Sequence, residues 1–456
     1  MQKPTVPTDP LRPARMAALP LAILLALAAA PVVAQDEAPS VTPPGLPTGV
    51  DWTFNFDATM GAFSFANSYY ANPKPEEPSG DLSDNWMEAS LKPAVSGVFT
   101  TKGSAQFYGT LSGVGERTYG AGPSVVGEDA SSFQLDELSF GWRSGEKNAR
   151  DESLFDFTVG RAQYQLGHGM LLWDGAAEGG TRGGYWTNAR KAFEGAAIGR
   201  FQPGNHKFEA FFLDKDDLPE ADSSTKLWGV NYEYLIGEDT TLGATYLKLS
   251  ANDTAPQRDG LSVYDFRVFT APFDSMKGLS FEAEYAIEDN GNALDSTAYN
   301  VLAAYQLDND RWKPKFSYRY AIFEGDDPTT AANENFDGLL TGFYDWGTWW
   351  QGEIAGEYFV SNSNLISHQL RVHTTPNDSI GMGLILFDFT LDHPASLGVT
   401  SDDVGTELDW YMDWSVNDNV TLSFVAAYAD PGAAIQQLSG RNDEFFYGMV
   451  FAAYSF

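Results

Sequence analysis

The chain of 456 residues contains no cysteine. That absence excludes a disulfide framework, thiolate metal sites and cysteine nucleophiles together. Beyond residue 34 there is also no long apolar run, and a membrane-spanning helix needs roughly 20 such residues. Basic residues are scarce: 28 Lys and Arg stand against 62 Asp and Glu, a formal charge of −34. Nucleic acid is thereby excluded as a partner, because phosphate binding requires a basic footprint. Histidine occurs only at 168, 206, 368, 373 and 393, with no His-Glu-x-x-His pattern, and no Gly-x-Ser-x-Gly elbow is present. With so many acids, paired carboxylates arise by chance and do not indicate a glycosidase. No catalytic residue, metal site or cofactor is expected.

What is present begins with a leader. Lys3, Arg12 and Arg15 precede "MAALPLAILLALAAA" (16–30), and Val32-Val33-Ala34 offers the small residues a signal peptidase prefers. The apolar run is short for a membrane anchor, so 1–34 reads as a secretion signal and Gln35 as the mature start. Residues 35–50 form a Pro-rich linker containing "DEAPSVTPPGLPTG". A single domain, 51–456, follows.

Within that domain, segments of about ten residues alternate apolar and polar side chains, as barrel strands do. Trp228/Val230/Tyr232/Tyr234 oppose Asn231/Glu233; Phe281/Ala283/Tyr285/Ile287 oppose Glu282/Glu284; Tyr299/Val301/Ala303/Tyr305 oppose Asn300/Gln306. Short turns such as "QPGN" (202–205), "IGED" (236–239), "LDND" (307–310), "TPND" (375–378) and "VNDN" (416–419) carry suitable turn chemistry. Longer polar loops at 68–85, 213–225 and 251–260 alternate with them, as extracellular loops alternate with periplasmic turns. Glu220 and Gly342 are therefore expected outside and Asn377 inside.

The alternation counts the strands. Nineteen candidates present themselves, yet a bacterial barrel with both ends in the periplasm needs an even number. "GTWWQGEIAGEYFV" (347–360) is the misfit. Placing 324–363 in one outer loop restores the pattern and leaves eighteen. No fixed internal repeat supports a β-solenoid instead. The fold class is all-β: a transmembrane antiparallel barrel of about eighteen strands in a Gram-negative outer membrane. The terminal "FFYGMVFAAYSF" (445–456) closes it, with Phe446, Val450, Tyr454 and Phe456 toward lipid and a final aromatic for the assembly machinery to read.

Four stretches, "FTVGRAQYQLGHGMLLWDG" (157–175), "YWTNARKAFEGAAIG" (185–199), "FDGLLTGFYDWGTWWQGEI" (336–354) and "VGTELDWYMDWSVNDNVTLSFVAAYADPG" (404–432), resemble the alginate-export family of outer-membrane barrels. The resemblance runs from about Phe157 to the C-terminus. It implies an eighteen-stranded barrel and a passive pore whose constriction is lined by arginines, suited to a polyuronate chain. One departure stands out: Phe193-Glu194-Gly195 occupies the place of an expected Phe-Asp-Gly.

A pore selects through charges that line its water column rather than through net charge. On 312–323 the apolar parity of Trp312, Phe316, Tyr318 and Tyr320 leaves Lys313, Lys315 and Arg319 inward. The same argument turns Arg267 and Arg371 inward, with His373 on the face of Arg371 and His368 on the apolar one. Arg161, Arg190, Lys191 and Arg200 cluster around 165–192, a loop long enough to fold into the lumen. Glu282, Glu284, Asp409 and Asp413 are the expected counter-ions. The acids of 213–222 and 324–337, including Asp214, Asp216, Asp217, Asp326 and Asp327, are expected in solvated loops. The implied function is conduction of an anionic, alginate-like polysaccharide, with an uptake porin for small anionic solutes or a non-conducting barrel as alternatives. Further expected partners are lipopolysaccharide and outer-membrane lipid, the barrel-assembly machinery, and periplasmic polysaccharide-export proteins.

Overall fold

The structure, a computed structural model, describes residues 49–67, 84–120, 129–173, 175–307, 311–342 and 351–456. The expected leader, most of the linker, the loop at 68–83 and most of "LDND" lie outside them. The first strands are β1 (Asp51–Ala66), β2 (Asp84–Thr100), β3 (Gln106–Tyr119), β4 (Ser131–Arg143), β5 (Phe155–Ala162) and β6 (Phe193–Phe201). Next come β7 (His206–Asp214), β8 (Lys226–Ile236), β9 (Thr240–Ser250), β10 (Ser262–Thr270), β11 (Leu279–Asp289) and β12 (Asp295–Gln306). The last are β13 (Lys315–Phe323), β14 (Leu365–Asn377), β15 (Ile380–Thr390), β16 (Asp403–Ser415), β17 (Val420–Pro431) and β18 (Phe445–Ser455).

Each strand pairs with its neighbours in sequence, and β1 pairs antiparallel with β18, so the eighteen-stranded sheet is a closed barrel. Closure satisfies both backbone edges that an open sheet would expose. Both ends of the chain's barrel lie at one rim, here the terminal rim, where the connections after β6, β8 and β16 are the short turns read from sequence. β14 runs on to Asn377, so the "TPND" turn is tighter than expected. The long connections 163–192, 215–225, 251–261, 324–364 and 391–402 gather at the opposite, loop rim. The described part of the odd segment, 351–360, holds no strand: Ala355–Tyr358 is one helical turn inside the connection 324–364.

The outer wall is apolar. Leu138, Phe140, Phe266, Val301, Leu370, Leu384, Leu386 and Leu408 all point outward and are exposed. Aromatic side chains on adjacent strands touch along it, as Tyr246 and Tyr264 do at 5.2 Å between ring centres. Such a band suits hydrocarbon, since every backbone group behind it is already paired.

The inner face departs from the polar lumen that period-two patterning suggests. On β15, Ile385, Phe387 and Phe389 point inward and are buried, although the outward residues of that strand are apolar too. The reason is the two long connections, 163–192 and 324–364, which fold into the barrel. Leu166, Met170, Leu171, Leu172, Phe336, Leu340, Ile354 and Tyr358 meet inward Phe63, Phe65, Trp86, Phe193, Phe445 and Tyr447 in one dry cluster. The two connections also bond directly: Leu340 N–H donates to Leu171 O and Trp173 N–H to Leu340 O, both at 2.9 Å. This explains the terminal strand with two apolar faces. Phe446 and Phe456 are exposed on the wall, whereas Phe445 and Tyr447 pack against the inserted segments.

Candidate functional site: the lumen

Wall carboxylates tether the inserted segments. Glu88 on β2 accepts the backbone N–H of Trp186 at 2.7 Å and of Thr187 at 3.1 Å. Asp136 on β4 accepts those of Lys191 and Ala192, both at 3.2 Å, and bridges Lys92 at 2.6 Å. Glu407 on β16 caps the helical turn, accepting Ile354 N–H at 2.8 Å and Ala355 N–H at 2.6 Å, while Asp409 accepts Glu353 N–H at 3.2 Å. Free N–H groups at the start of a helical turn are natural partners for carboxylates.

Toward the loop rim two of the expected arginines, joined by Arg182, which the sequence did not single out, converge on one acid that sequence reasoning placed in solvent. Asp216 is buried and accepts from Arg161, Arg190 and Arg182, the last at 2.7 Å. The correction has a local cause. Asp216 N–H donates to Gly175 O at 2.8 Å and Ala177 N–H to Asp216 O at 2.9 Å, which draws the start of connection 215–225 inward. Its neighbours also have specific partners: Lys226 bridges Asp214 at 2.9 Å and Lys215 bridges Asp217 at 2.7 Å. Among the described residues no acid or histidine cluster has the arrangement of a metal site.

Along β5 to β10, Arg200, Lys207 and Arg267 are bridged in a chain. Arg200 donates to Glu209 at 2.8 Å and stands 3.6 Å from Asp156; Lys207 meets Glu209 and Glu233. Arg267 bridges Asp265 and donates to Asn231 at 2.7 Å and Thr245 at 2.9 Å. A Cβ on Gly243 would fall 2.8 Å from an Arg267 Nη, so that glycine lets the guanidinium lie flat on the wall. The acids bridging these three basic residues are Asp156, Glu209, Glu233 and Asp265, beside the four carboxylates expected, of which Glu284 stands opposite Arg267 in register. Of those four, Asp409 caps the inserted turn, Asp413 accepts from Ser423 at 2.7 Å, Glu284 is buried, and Glu282 faces His168.

Nearer the terminal rim lies a cavity of about 330 Å³ lined by Gln165, His168, Glu282, Lys315, Arg371 and His373, with Leu302 and Ser317. His168, carried in by the inserted segment, stacks on Phe269 at 3.9 Å and stands 3.2 Å from Glu282. Lys315 and His373 are directly opposite each other on β13 and β14. Arg371 is held by the Tyr411 hydroxyl. Arg319 also points inward but is buried at 2% exposure, a wall residue rather than an open lining one. Lys313 is a further correction. It lies in the turn before β13 with φ +42°, exposed at the rim, because β13 begins only at Lys315. The larger concavities, about 790 and 510 Å³, involve outward wall residues such as Phe157 and Tyr246, or Tyr318 and Leu386.

The alginate-export family, described as alginate export, matches residues 129–448, more than half of the chain. The chain belongs to that family. Among solved structures it is similar to a BenF-like porin from Pseudomonas fluorescens Pf-5, with 13% identity, TM-score 0.60, and coverage of 89% of this chain and 98% of that one. It is also similar to OccAB2 of Acinetobacter baumannii, with 14% identity, TM-score 0.57, and coverage of 88% and 98%. A third is Pseudomonas aeruginosa OpdK with vanillate, at 11% identity and TM-score 0.56, covering 88% and 98%. At these identities the likeness shows the porin-type barrel fold alone. No curated protein sequence matches.

The departure noted in this alginate-export family member, Phe193-Glu194-Gly195, falls where the register between β5 and β6 slips, between Gly160/Ala196 and Ala162/Phe193. Gly160 has φ +112°, and a Cβ there would fall 2.2 Å from Leu138 O. A bulge of this kind re-aims a side chain. Here Arg161 turns onto Asp216, with Glu194 4.0 Å away.

Proposed function

We propose that this protein is a Gram-negative outer-membrane channel that passively conducts an anionic, alginate-like polysaccharide out of the periplasm. The observation that carries the proposal is the lumenal cavity that brings Lys315, Arg371, His373 and His168 together against one nearby lining carboxylate, Glu282. Lys315 and Arg371 carry fixed positive charge in a water column with low-dielectric walls, where fields are focused, so local charge outweighs the −34 of the whole chain. Family membership supports the polyuronate cargo, and the apolar outer wall supports the membrane.

Currents through the purified protein in a planar bilayer test this directly. Short oligouronates added to the terminal-rim side are expected to block in proportion to concentration, while neutral oligosaccharides of equal length leave the current unchanged. Equal effects from both, or none from either, would contradict it. A second proposal, an uptake porin for small solutes, draws on the dry cluster that occupies the loop-rim half of the lumen and narrows any route. Rapid liposome swelling in small anionic solutes with no oligouronate block would favour it, and absence of any conductance would leave a closed structural barrel.

A further inference from the structure

The apolar outer wall is not smooth. Between β4 and β10 it carries a groove of about 790 Å³, in which Gly199, Ala210 and Ala244 are the small residues. Gly199 stands opposite Ala210, and Ala210 opposite Val230, so three neighbouring strands present short side chains in one row. Aromatic rings bank that row on both sides. Toward the terminal rim run Phe155, Phe201, Phe208 and Tyr232, with successive ring centres 4.8, 6.1 and 4.9 Å apart. Toward the loop rim run Trp228, Tyr246 and Tyr264, at 5.5 and 5.2 Å. A trough open to hydrocarbon and banked in this way holds a methylene chain by many small dispersion contacts.

The loop-rim end of the trough is where such a chain would carry its head. Two residues beyond Tyr246 on β9 stands Lys248, and its register neighbours on both sides, Trp228 and Ser262, are uncharged. Its ammonium donates to Gly260 O and to Ser262 Oγ, the latter at 3.0 Å. Both acceptors are neutral, so the charge is held in place without being cancelled, and the third N–H of the ammonium is left for a ligand. Among the described residues no carboxylate bridges Lys248, whereas Lys226, the next cation along this wall, is bridged by Asp214 at 2.9 Å. Trp228 lies beside both lysines with 49% of its surface exposed. An indole next to a fixed cation suits a phosphorylated sugar: the ring takes the apolar C–H face of the saccharide, and the ammonium takes the phosphate.

We propose that this groove binds a phosphorylated glycolipid of the outer leaflet, with an acyl chain between the aromatic rows, a sugar on Trp228 and its phosphate on Lys248. This rests on the outer-membrane part of the proposal above, which sets the loop rim outside, and not on the cargo.

The test is native mass spectrometry of the full chain released from detergent micelles, with bis-phosphorylated lipid A, dephosphorylated lipid A, phosphatidylglycerol and phosphatidylethanolamine as probes. Phosphorylated lipid A should be retained best, about tenfold over the dephosphorylated form, as one charge-assisted hydrogen bond implies. Lys248→Ala should remove that advantage, and Lys248→Arg should restore most of it. Ala210→Trp, which fills the trough, should lower retention of both forms of lipid A. Lys277→Ala, at an exposed lysine in the connection after β10 on the terminal rim, should change nothing. The heat-modifiable band on gels reports that each variant has closed its barrel. Equal retention of the two lipid A forms, phosphatidylglycerol held as tightly as lipid A, or an advantage that survives Lys248→Ala overturns the glycolipid site. A lipid-free dimer dispersed by Ala210→Trp overturns it too, because the trough would then join two copies of this chain. Lipid capture is read without any current, so its failure leaves the channel proposal standing, and a missing oligouronate block leaves the glycolipid site standing.

Discussion

Phe56 and Phe456 exchange two backbone hydrogen bonds: Phe56 N–H donates to Phe456 O at 3.0 Å, and Phe456 N–H to Phe56 O at 3.1 Å. The last residue of the chain is thus the last rung of the seam that closes the barrel. Its side chain is 51% exposed on the outer wall.

Deletion of Phe456 removes both bonds, each worth about 1 kcal/mol net. Phe456→Asp keeps them but sets a charge on the wall near the rim, costing about 0–1 kcal/mol there. Both variants should form the heat-modifiable folded band more slowly on gels. Similar slowing would point to the lost aromatic ring, and greater slowing in the deletion to the seam; wild-type kinetics in both would remove Phe456 from assembly.

Cysteine labelling checks the topology against a clean background, because the native chain has no cysteine. Cysteines at Glu220 and Thr329, both exposed at the loop rim, should react with an impermeant thiol reagent on whole cells, and one at Asn377 should not. Gly342 belongs to an outer connection, yet a Cβ there would lie 2.7 Å from Trp173 Cβ, so a cysteine at 342 should stay unlabelled. Strong labelling at 342 would mean that connection 324–364 stands outside the barrel rather than within it.

The strand count, the alternation of turns and loops and the closing strand were legible in sequence because they rest on period-two patterning and turn chemistry, which are local. The inward faces of Arg267 and Arg371 followed from the same parity. Asp216 did not, because its burial depends on backbone bonds to Gly175 and Ala177, some forty residues away in sequence. Lys313 failed for a local reason, a positive φ just before β13. The burial of Ile385, Phe387 and Phe389 lies beyond such local patterning, because an inward apolar face needs the inserted segments to cover it, and their path is a tertiary fact.

Asp216→Asn should be far from silent. Removing the charge leaves buried Arg182 and Arg190, with part-buried Arg161, around a neutral amide, a change that in buried bridges costs about 3–5 kcal/mol. Connection 163–192 should become sensitive to protease, and the pore should shift toward anions. Unchanged proteolysis and selectivity would return Asp216 to the solvated role that sequence suggests.

The pH response of the inserted connection 324–364 has two opposed contributions. Burial is the largest single influence on Asp337 and opposes its ionisation, but the hydrogen bonds from Arg258 at 2.7 and 2.6 Å, the Arg258 charge and the Leu339 N–H together outweigh it and hold the carboxyl below its usual range. That stabilisation is complete above the ordinary Asp value of about 3.9 and fades only as pH falls through the lowered one. Glu353 runs the other way: burial, then Asp409 and Glu357, push its carboxyl well above the usual range. Its contribution is complete below about pH 4.3 and falls by about 1.4 kcal/mol per unit as pH rises toward the raised value. Limited proteolysis of the connection should therefore be faster at about pH 9 than at about pH 5. Glu353→Gln should flatten that difference, and Arg258→Ala should speed cleavage at both. Faster cleavage at the acid end would reverse the assignment.

The central claim, that lumenal cations rather than the acidic exterior set selectivity, is tested most directly by the reversal potential of the purified protein in a planar bilayer under a KCl gradient near pH 7. Wild type is expected to favour anions. Lys315→Glu with Arg371→Glu should swing it toward cations, while Asp326→Asn with Asp327→Asn should barely move it, those acids being partly exposed outside the lining of that cavity, where salt screens charge over about 8 Å. A wild-type pore that favours cations, and loses that preference when Asp326 and Asp327 are neutralised, would contradict it.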